Sequence, residues 1–205
     1  QIKQLQIQFQ NGDKDFASLV NDQNTSRGIS NVEFPAFPKA LRFAAASDPI
    51  EEDFGLYWTC VWEDNIECVV QISNRKSAGV TYYPDAVQGT ESYTGRVGLQ
   101  IDVTLTQKDD FGSWEYRLLR LSCSETTRMV HHLHFKAWPS QPAEFLEFTK
   151  DVGRIKSQCI DPSTKMLVHS GEGVGSNGSL ILFAVLADKI ENGLVPDALA
   201  ILSDL

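Results

Sequence analysis

The sequence predicts an α/β domain, and three stretches carry that prediction. "MLVHSGEGVGSNGSL", Met166 to Leu180, reads as an apolar strand, a glycine-rich turn and the start of an apolar helix. Between Thr81 and Phe135, "RVGLQIDVTLTQ", "WEYRLLRLSCS" and "RMVHHLHFKAW" have the pattern of strands joined by turns, one of them at Phe111-Gly112-Ser113, which implies an antiparallel ribbon. "AEFLEFTKDVGRI" places Phe145, Phe148, Val152 and Ile155 on one face of a helix. A strand, a glycine loop and a buried helix in succession form an α/β core with the loop at the carboxyl end of the strand, where open α/β sheets place ligands.

With 205 residues, 42% of them hydrophobic and 22% charged, the chain is long enough for one substantial core. Residues 1–28 are polar with only a weak apolar rhythm at Phe9, Phe16, Leu19 and Val20, and are expected to form a peripheral helix and loop beside a single domain over 29–205. At Asp48-Pro49 a helix is expected to open, with Asp48 as cap, Pro49 at the first helical position and Glu51, Glu52 and Asp53 in the first turn near the positive end of the helix dipole. Its apolar positions are Phe54, Tyr57, Trp58, Val61 and Trp62, it ends near Asn65, and "ECVVQIS" follows as a strand. After the strand "KMLVHS", helices are expected over Ser179 to Asn192 and from Pro196. The run Leu180 to Ala187 is apolar on all sides and is expected to be buried; it is far shorter than the roughly 20 residues needed to cross a bilayer.

The formal charge of -9 and pI near 4.9 argue against nucleic acid as a partner, since phosphate backbones demand clustered Lys and Arg. Cys60, Cys68, Cys123 and Cys159 are far apart and form no CxxC, which fits a reducing compartment. A chain that opens at Gln1, with neither an initiator Met nor a signal-peptide pattern, is expected to be an excised domain or processed fragment.

Gly173, Gly175 and Gly178 satisfy G-x-G-x-x-G, a possible pyrophosphate cradle, but that reading needs a second parallel strand ending in an acidic residue about 20 positions on. Asp197 is near that distance but opens an expected helix. A triphosphate loop fails because Ser179 stands where Lys is required. Neither cofactor is expected.

The whole chain supports a third reading. "VHSGEGVGSNGS" resembles the signature loop V-H-C-S-A-G-V-G-R-T-G of the protein tyrosine phosphatases, with Val168, His169, Gly173, Val174, Gly175 and Gly178 in register. "LHFKAWPS", Leu133 to Ser140, is similar to the family's mobile loop H-F-x-x-x-W-P-D. Ala40 to Asn74 resembles the run Y-I-A-A-Q-G-P-L, D-F-W, M-V-W-E and I-V-M-L-T-N, and Tyr82 to Pro84 stands where the family has Y-W-P. The blocks occur in order from about residue 29 to 205, and the resemblance implies a twisted mixed β-sheet flanked by helices.

It also implies which residues should carry chemistry. The family's attacking cysteine corresponds to Ser170, a poorer nucleophile because an alcohol ionises far less readily than a thiol. The arginine that clamps the phosphoryl oxygens corresponds to Ser176, and the acid that protonates the leaving group corresponds to Ser140, after Trp138 and Pro139. In the loop His169, Ser170, Gly171, Glu172, Gly173, Val174, Gly175, Ser176, the carboxylate of Glu172 either repels a dianion or points to solvent. His169 should point to the opposite face of the strand from Ser170, leaving no evident general base.

The expectation is a catalytically inactive tyrosine-phosphatase-like domain, most like an inactive membrane-distal domain of a receptor-type tyrosine phosphatase. It would act as a regulatory or scaffolding module in phosphotyrosine signalling. Its partners would be other proteins, a neighbouring active phosphatase domain or a phosphotyrosine protein, with no nucleic acid and no membrane contact. The setting would be cytoplasmic, within the intracellular part of a single-pass receptor. The alternatives are a weak phosphotyrosine-binding module and a hydrolase that uses Ser170.

Remaining features have simpler readings. His132 and His134 share a strand face at a spacing some metal sites use, but no cysteine or carboxylate is near in sequence, so hydrogen-bonded or exposed histidines are expected and no metal. Tyr82-Tyr83 should pack under the ribbon, and Phe54, Tyr57, Trp58 and Trp62 should be core. Cys159 is expected in a loop.

Overall fold

The computed structural model describes residues 29–32, 42–73, 81–95, 98–138, 142–159, 164–171, 175–191 and 193. The expected helix and loop over 1–28 and the helix from Pro196 lie outside them.

Among the described residues, eight strands form one sheet: β1 (Ile29–Val32), β2 (Phe43–Ser47), β3 (Cys68–Ile72), β4 (Thr90–Thr94), β5 (Gln100–Asp110), β6 (Trp114–Cys123), β7 (Thr126–Phe135) and β8 (Met166–Ser170). Their order is β1-β2-β8-β3-β7-β6-β5-β4. β2, β8, β3 and β7 run parallel, while β1 and the ribbon β7-β6-β5-β4 are antiparallel. The sheet is therefore mixed, and with the right-handed twist that L-residues impose on adjacent strands it matches the expected class. The antiparallel ribbon is as predicted, with the β5–β6 turn at Phe111 to Ser113 and Gly112 at φ +84°.

Helices cover both faces, which is why the parallel strands read as apolar runs: every residue of β3 and of β8 is buried. On one face lies α1 (Phe54–Glu63), whose Phe54, Tyr57, Trp58 and Val61 pack with Tyr82, Tyr83, Val69, Val103, Leu119 and Leu167. On the other lie α2 (Pro142–Cys159) and α3 (Ser176–Glu191), which bury Phe145, Phe148, Val152, Leu180, Ile181 and Val185 against Phe43, Val70, Leu133 and Val168. Each fully buried side chain of this size contributes about 1.5–3 kcal/mol relative to exposure. Helix α1 sits unusually close to the end of β4. A Cβ on Gly55 would lie 2.1 Å from the carbonyl oxygen of Thr94, so the side-chain-free residue is what lets the two backbones meet.

Several expectations are corrected. Asp48 does not cap α1: the helix is preceded by a 3-10 turn (Glu51–Asp53) whose N-cap is Ile50, with no side-chain cap. The Asp48 carboxylate instead reaches His169 on β8, a stronger partner than an exposed amide. Helix α3 starts at Ser176, three residues before the expected Ser179, and is not buried all round. Phe183 is 39% exposed and Ile190 62%, because positions seven apart share the face turned from the sheet. Cys159 is the last residue of α2 rather than a loop residue. Cys60, Cys68 and Cys123 are buried and form no disulfide among the described residues, and burial pushes the Cys68 thiol up to about 12.

Candidate functional site

The parallel strands bring their carboxyl ends to one edge, and β8 ends there between β2 and β3, with Ser170 paired to Ser47 and Ile72. The backbone N–H of Asp48 donates to the Ser170 carbonyl at 2.7 Å, so the end of β8 is tied to the chain leaving β2. β8 ends at Ser170 and α3 begins at Ser176. Gly175 adopts φ +67° and its carbonyl accepts from the N–H of Ser179 at 2.9 Å and from its hydroxyl at 3.0 Å. That left-handed residue is where the motif needs glycine. Gly178 lies inside the first turn of α3 and needs none of this freedom.

Strand alternation separates the two central residues of the motif. Ser170 lies on the side of Met166 and Val168, facing α2 and α3. It is 3% exposed and its Oγ has no hydrogen-bond partner among the described residues. Ser176 is buried at the start of α3, and Asn177 beside it donates from Nδ2 to the Ala46 carbonyl at 2.9 Å, anchoring the helix start to β2. Glu172, Gly173 and Val174 lie outside the described residues, as do Pro139 and Ser140. Trp138 is half-buried with its ring 4.7 Å from that of Phe145.

His169 faces the other way, with the side chain fully enclosed. Its Nδ1 meets Asp48 Oδ1 at 2.7 Å, and its Nε2 meets the hydroxyl of Tyr82 at 2.7 Å. That hydroxyl also contacts His132 Nε2 at 2.6 Å. One proton assignment satisfies the line: His169 Nδ1–H donates to the carboxylate, Tyr82 O–H donates to His169 Nε2, and His132 Nε2–H donates to the Tyr82 oxygen. The rings are held from the sides by Tyr57, 4.9 Å from Tyr82, and by Tyr83, 4.8 Å from His132. Arg117 lies over Tyr83 at 4.5 Å and pairs with Glu115. His134 completes the row, its Nε2 3.0 Å from Ser73 Oγ.

The electrostatics keep His132, His134 and Tyr82 neutral. Burial, reinforced by Arg117 and His169, holds His132 well below the usual imidazole range; burial and Arg117 hold His134 down at about 4. Burial raises Tyr82 well above the ordinary phenol value. Asp48, His169 and Tyr82 thus have the carboxylate-imidazole-hydroxyl order of a hydrolytic triad, but the hydroxyl is a 5%-exposed phenol held in its neutral form. The line fixes structure. Its consequence for Ser170 is direct: the one imidazole next to it in sequence is committed to the opposite face, and no described residue lies within hydrogen-bond reach to act as its base.

His132 and His134 thus meet the hydrogen-bonded reading of the sequence, and Tyr82 and Tyr83 are buried as expected. The link from Asp48 to His169 is absent from the sequence reading. The motifs containing them were visible, but the contact spans 121 residues and no local pattern signals it.

Fold and site define a class of protein: a mixed-sheet α/β domain in which β8 and α3 flank a glycine-rich segment at the carboxyl end of the parallel strands. The profile of the protein-tyrosine phosphatase family matches residues 30–205, and the chain belongs to that family. It is similar to tyrosine-protein phosphatase 69D of Drosophila melanogaster, 23% identical over 190 residues covering 85% of this chain and 12% of that protein. Receptor-type tyrosine-protein phosphatase H of Homo sapiens is 26% identical over 185 residues, 84% of this chain and 16% of that protein. Receptor-type tyrosine-protein phosphatase epsilon of Rattus norvegicus is 29% identical over 161 residues, 74% of this chain and 22% of that protein. The chain thus matches less than a quarter of the length of each of these relatives. Among the described residues, no helix is long and apolar enough to cross a membrane.

Proposed function

We propose that this domain retains the tyrosine-phosphatase scaffold without its phosphatase chemistry. It acts as a regulatory or scaffolding protein-interaction module in phosphotyrosine signalling. The observation that carries the reading is Ser170, which stands where the family's signature loop has cysteine: it is buried and its hydroxyl has no partner among the described residues, while His169 is locked to Asp48 and Tyr82 on the far face. Replacement of the clamp by Ser176 and of the acid by Ser140 supports the same reading. The receptor-type names of two relatives favour a cytoplasmic setting beside an active phosphatase domain or a phosphotyrosine protein.

A second reading, weak phosphotyrosine binding, draws on the same hydroxyl, which has no partner among the described residues, and on a 16-residue helix that opens six residues further on and whose first N–H groups can serve an anion. Calorimetric titration with a phosphotyrosine peptide separates the two. The proposal expects no heat below millimolar peptide. Micromolar binding that disappears with the unphosphorylated peptide would replace the proposal with the reader. The third reading, a hydrolase using Ser170, requires a general base that no described residue supplies.

A further inference from the structure

Serine carries no charge, so Ser170 and Ser176 leave the electrostatics at the end of β8 to their neighbours. Two of those neighbours act in opposite directions. Helix α3 starts there, held to β2 by Asn177 Nδ2 on the Ala46 carbonyl at 2.9 Å, and a helix N-terminus favours an anion. Asp48 opposes it. Its backbone N–H donates to the Ser170 carbonyl at 2.7 Å, and its carboxylate, on a side chain only 12% exposed, meets His169 Nδ1 at 2.7 Å.

The balance turns on whether a cation cancels that carboxylate. Among the described residues no lysine or arginine meets Asp48, and its ion-pair contact is the His169 ring. In the hydrogen-bond assignment above that ring is neutral, because Nε2 accepts from Tyr82 while Nδ1 donates to the carboxylate. The cations of this face stand elsewhere. Arg117 pairs with Glu115, Lys136 bridges Asp110 and Glu115, and Lys108 acts on the same two carboxylates. Arg117 is on β6, three strands from β8, which is about 14 Å at the usual strand spacing. On the near side, Glu51, Glu52 and Asp53 have the sign of Asp48 but are exposed, where water and salt screen them. The field of Asp48 is visible in the groups around it. Burial raises Tyr57, Tyr82 and Tyr83 above the ordinary phenol value, and Asp48 adds to the rise in all three; at Tyr83 the opposing Arg117 is offset by Glu115 and Asp85.

We propose that Asp48 sets this site against anions. Its carboxylate fixes the His169 ring on the far face and places beside the end of β8 a negative charge that no cation among the described residues cancels, so a phosphoryl group or an ionised nucleophile is disfavoured at position 170. The inference rests on the reading of the domain as one without phosphatase chemistry, and it assigns part of that loss to a residue outside the glycine-rich motif. Ser170→Cys by itself therefore does not restore a reactive thiolate.

The test is the titration of the thiol introduced by Ser170→Cys in the full chain. It is followed by ¹³C NMR of ¹³Cβ-labelled cysteine over about pH 6 to 11, either side of the ordinary thiol value, with the native cysteine signals identified in the unaltered chain. Asp48→Asn and Asp48→Gly are each combined with it. Both keep the backbone N–H, and burial and the helix terminus act alike in all three proteins, so the difference reports the carboxylate. The thiol is expected to ionise about one pH unit lower in both double variants, the effect of removing one like charge in partly buried surroundings. Glu52→Gln, which removes an exposed carboxylate from the same stretch of chain, should leave the titration in place to within about 0.2 pH units. In the unaltered chain, ¹⁵N NMR of the His169 ring at about pH 8 should show one protonated nitrogen. An unshifted thiol, an equal shift with Glu52→Gln, or a ring protonated on both nitrogens would overturn the inference, and the ring measurement decides even where a double variant fails to fold. Phosphate-ester turnover by the unaltered chain removes the reading of the domain as inactive, whereas an unshifted thiol in a chain without turnover removes the role of Asp48 alone.

Discussion

At the scale of single residues, Asp48 is the side chain around which the site is organised. Its backbone N–H holds the carbonyl of Ser170 and its carboxylate holds His169, so one residue restrains both central positions of the motif. The family motif that Ala44 to Ile50 resembles has glycine at this place, and glycine could supply only the backbone half of the restraint. The pair is mostly enclosed, with side-chain exposures of 0% for His169 and 12% for Asp48, so solvent screens it little. Asp48→Asn keeps the shape and removes the charge from the acceptor. It is expected to lower unfolding free energy by about 1.5–3 kcal/mol in urea titrations at neutral pH, the range for hydrogen bonds to charged groups. An unchanged midpoint would show that the carboxylate is dispensable to the line from Asp48 to His132.

At the scale of elements, β7 shows most clearly why some of the fold was legible in the sequence and some was not. Its apolar rhythm and the turn residues before it marked it as a strand of an antiparallel ribbon, and Val130, Leu133 and Phe135 are buried accordingly. The alternation also put His132 and His134 on one face, but which face, and under what, depended on α1 and on the Tyr82 segment packing there. Asp48 misled for a related reason: Asp-Pro before an acidic turn is a sound cap signal, and a tertiary partner outcompeted the cap. The two histidines on β7 give the element a pH signature. Both are neutral when folded, held below the unfolded value of about 6.5 by burial and Arg117, with His169, Glu115 and Asp48 facing them. The unfolded chain therefore binds more protons below about 6.5, and stability falls as pH drops from there toward about 4. Urea midpoints should decline over that window by up to about 1.4 kcal/mol per pH unit for each histidine, with His132→Phe flattening the slope. A flat profile between those limits would mean that the imidazoles are not neutral in the native state.

At the scale of the whole molecule, the fold was legible because four motif blocks occur in family order, and the sheet that results is mixed, twisted and covered on both faces. Periodicity alone could not have placed β8 between β2 and β3, since that pairing joins segments about a hundred residues apart. What the resemblance to the family's motifs does bring out from the sequence alone is serine at Ser170, Ser176 and Ser140, because these are identities rather than positions. We propose a tyrosine-phosphatase scaffold whose reactive positions are filled by serines, and the imidazole of His169 is built into the opposite face from Ser170. Turnover of p-nitrophenyl phosphate by the purified chain, with Ser170→Ala as the blank, tests this most directly. The account predicts no turnover above that blank at any pH from 5 to 8, a range of about one and a half units either side of the usual imidazole value. Turnover by the unaltered chain that vanishes in Ser170→Ala would contradict it.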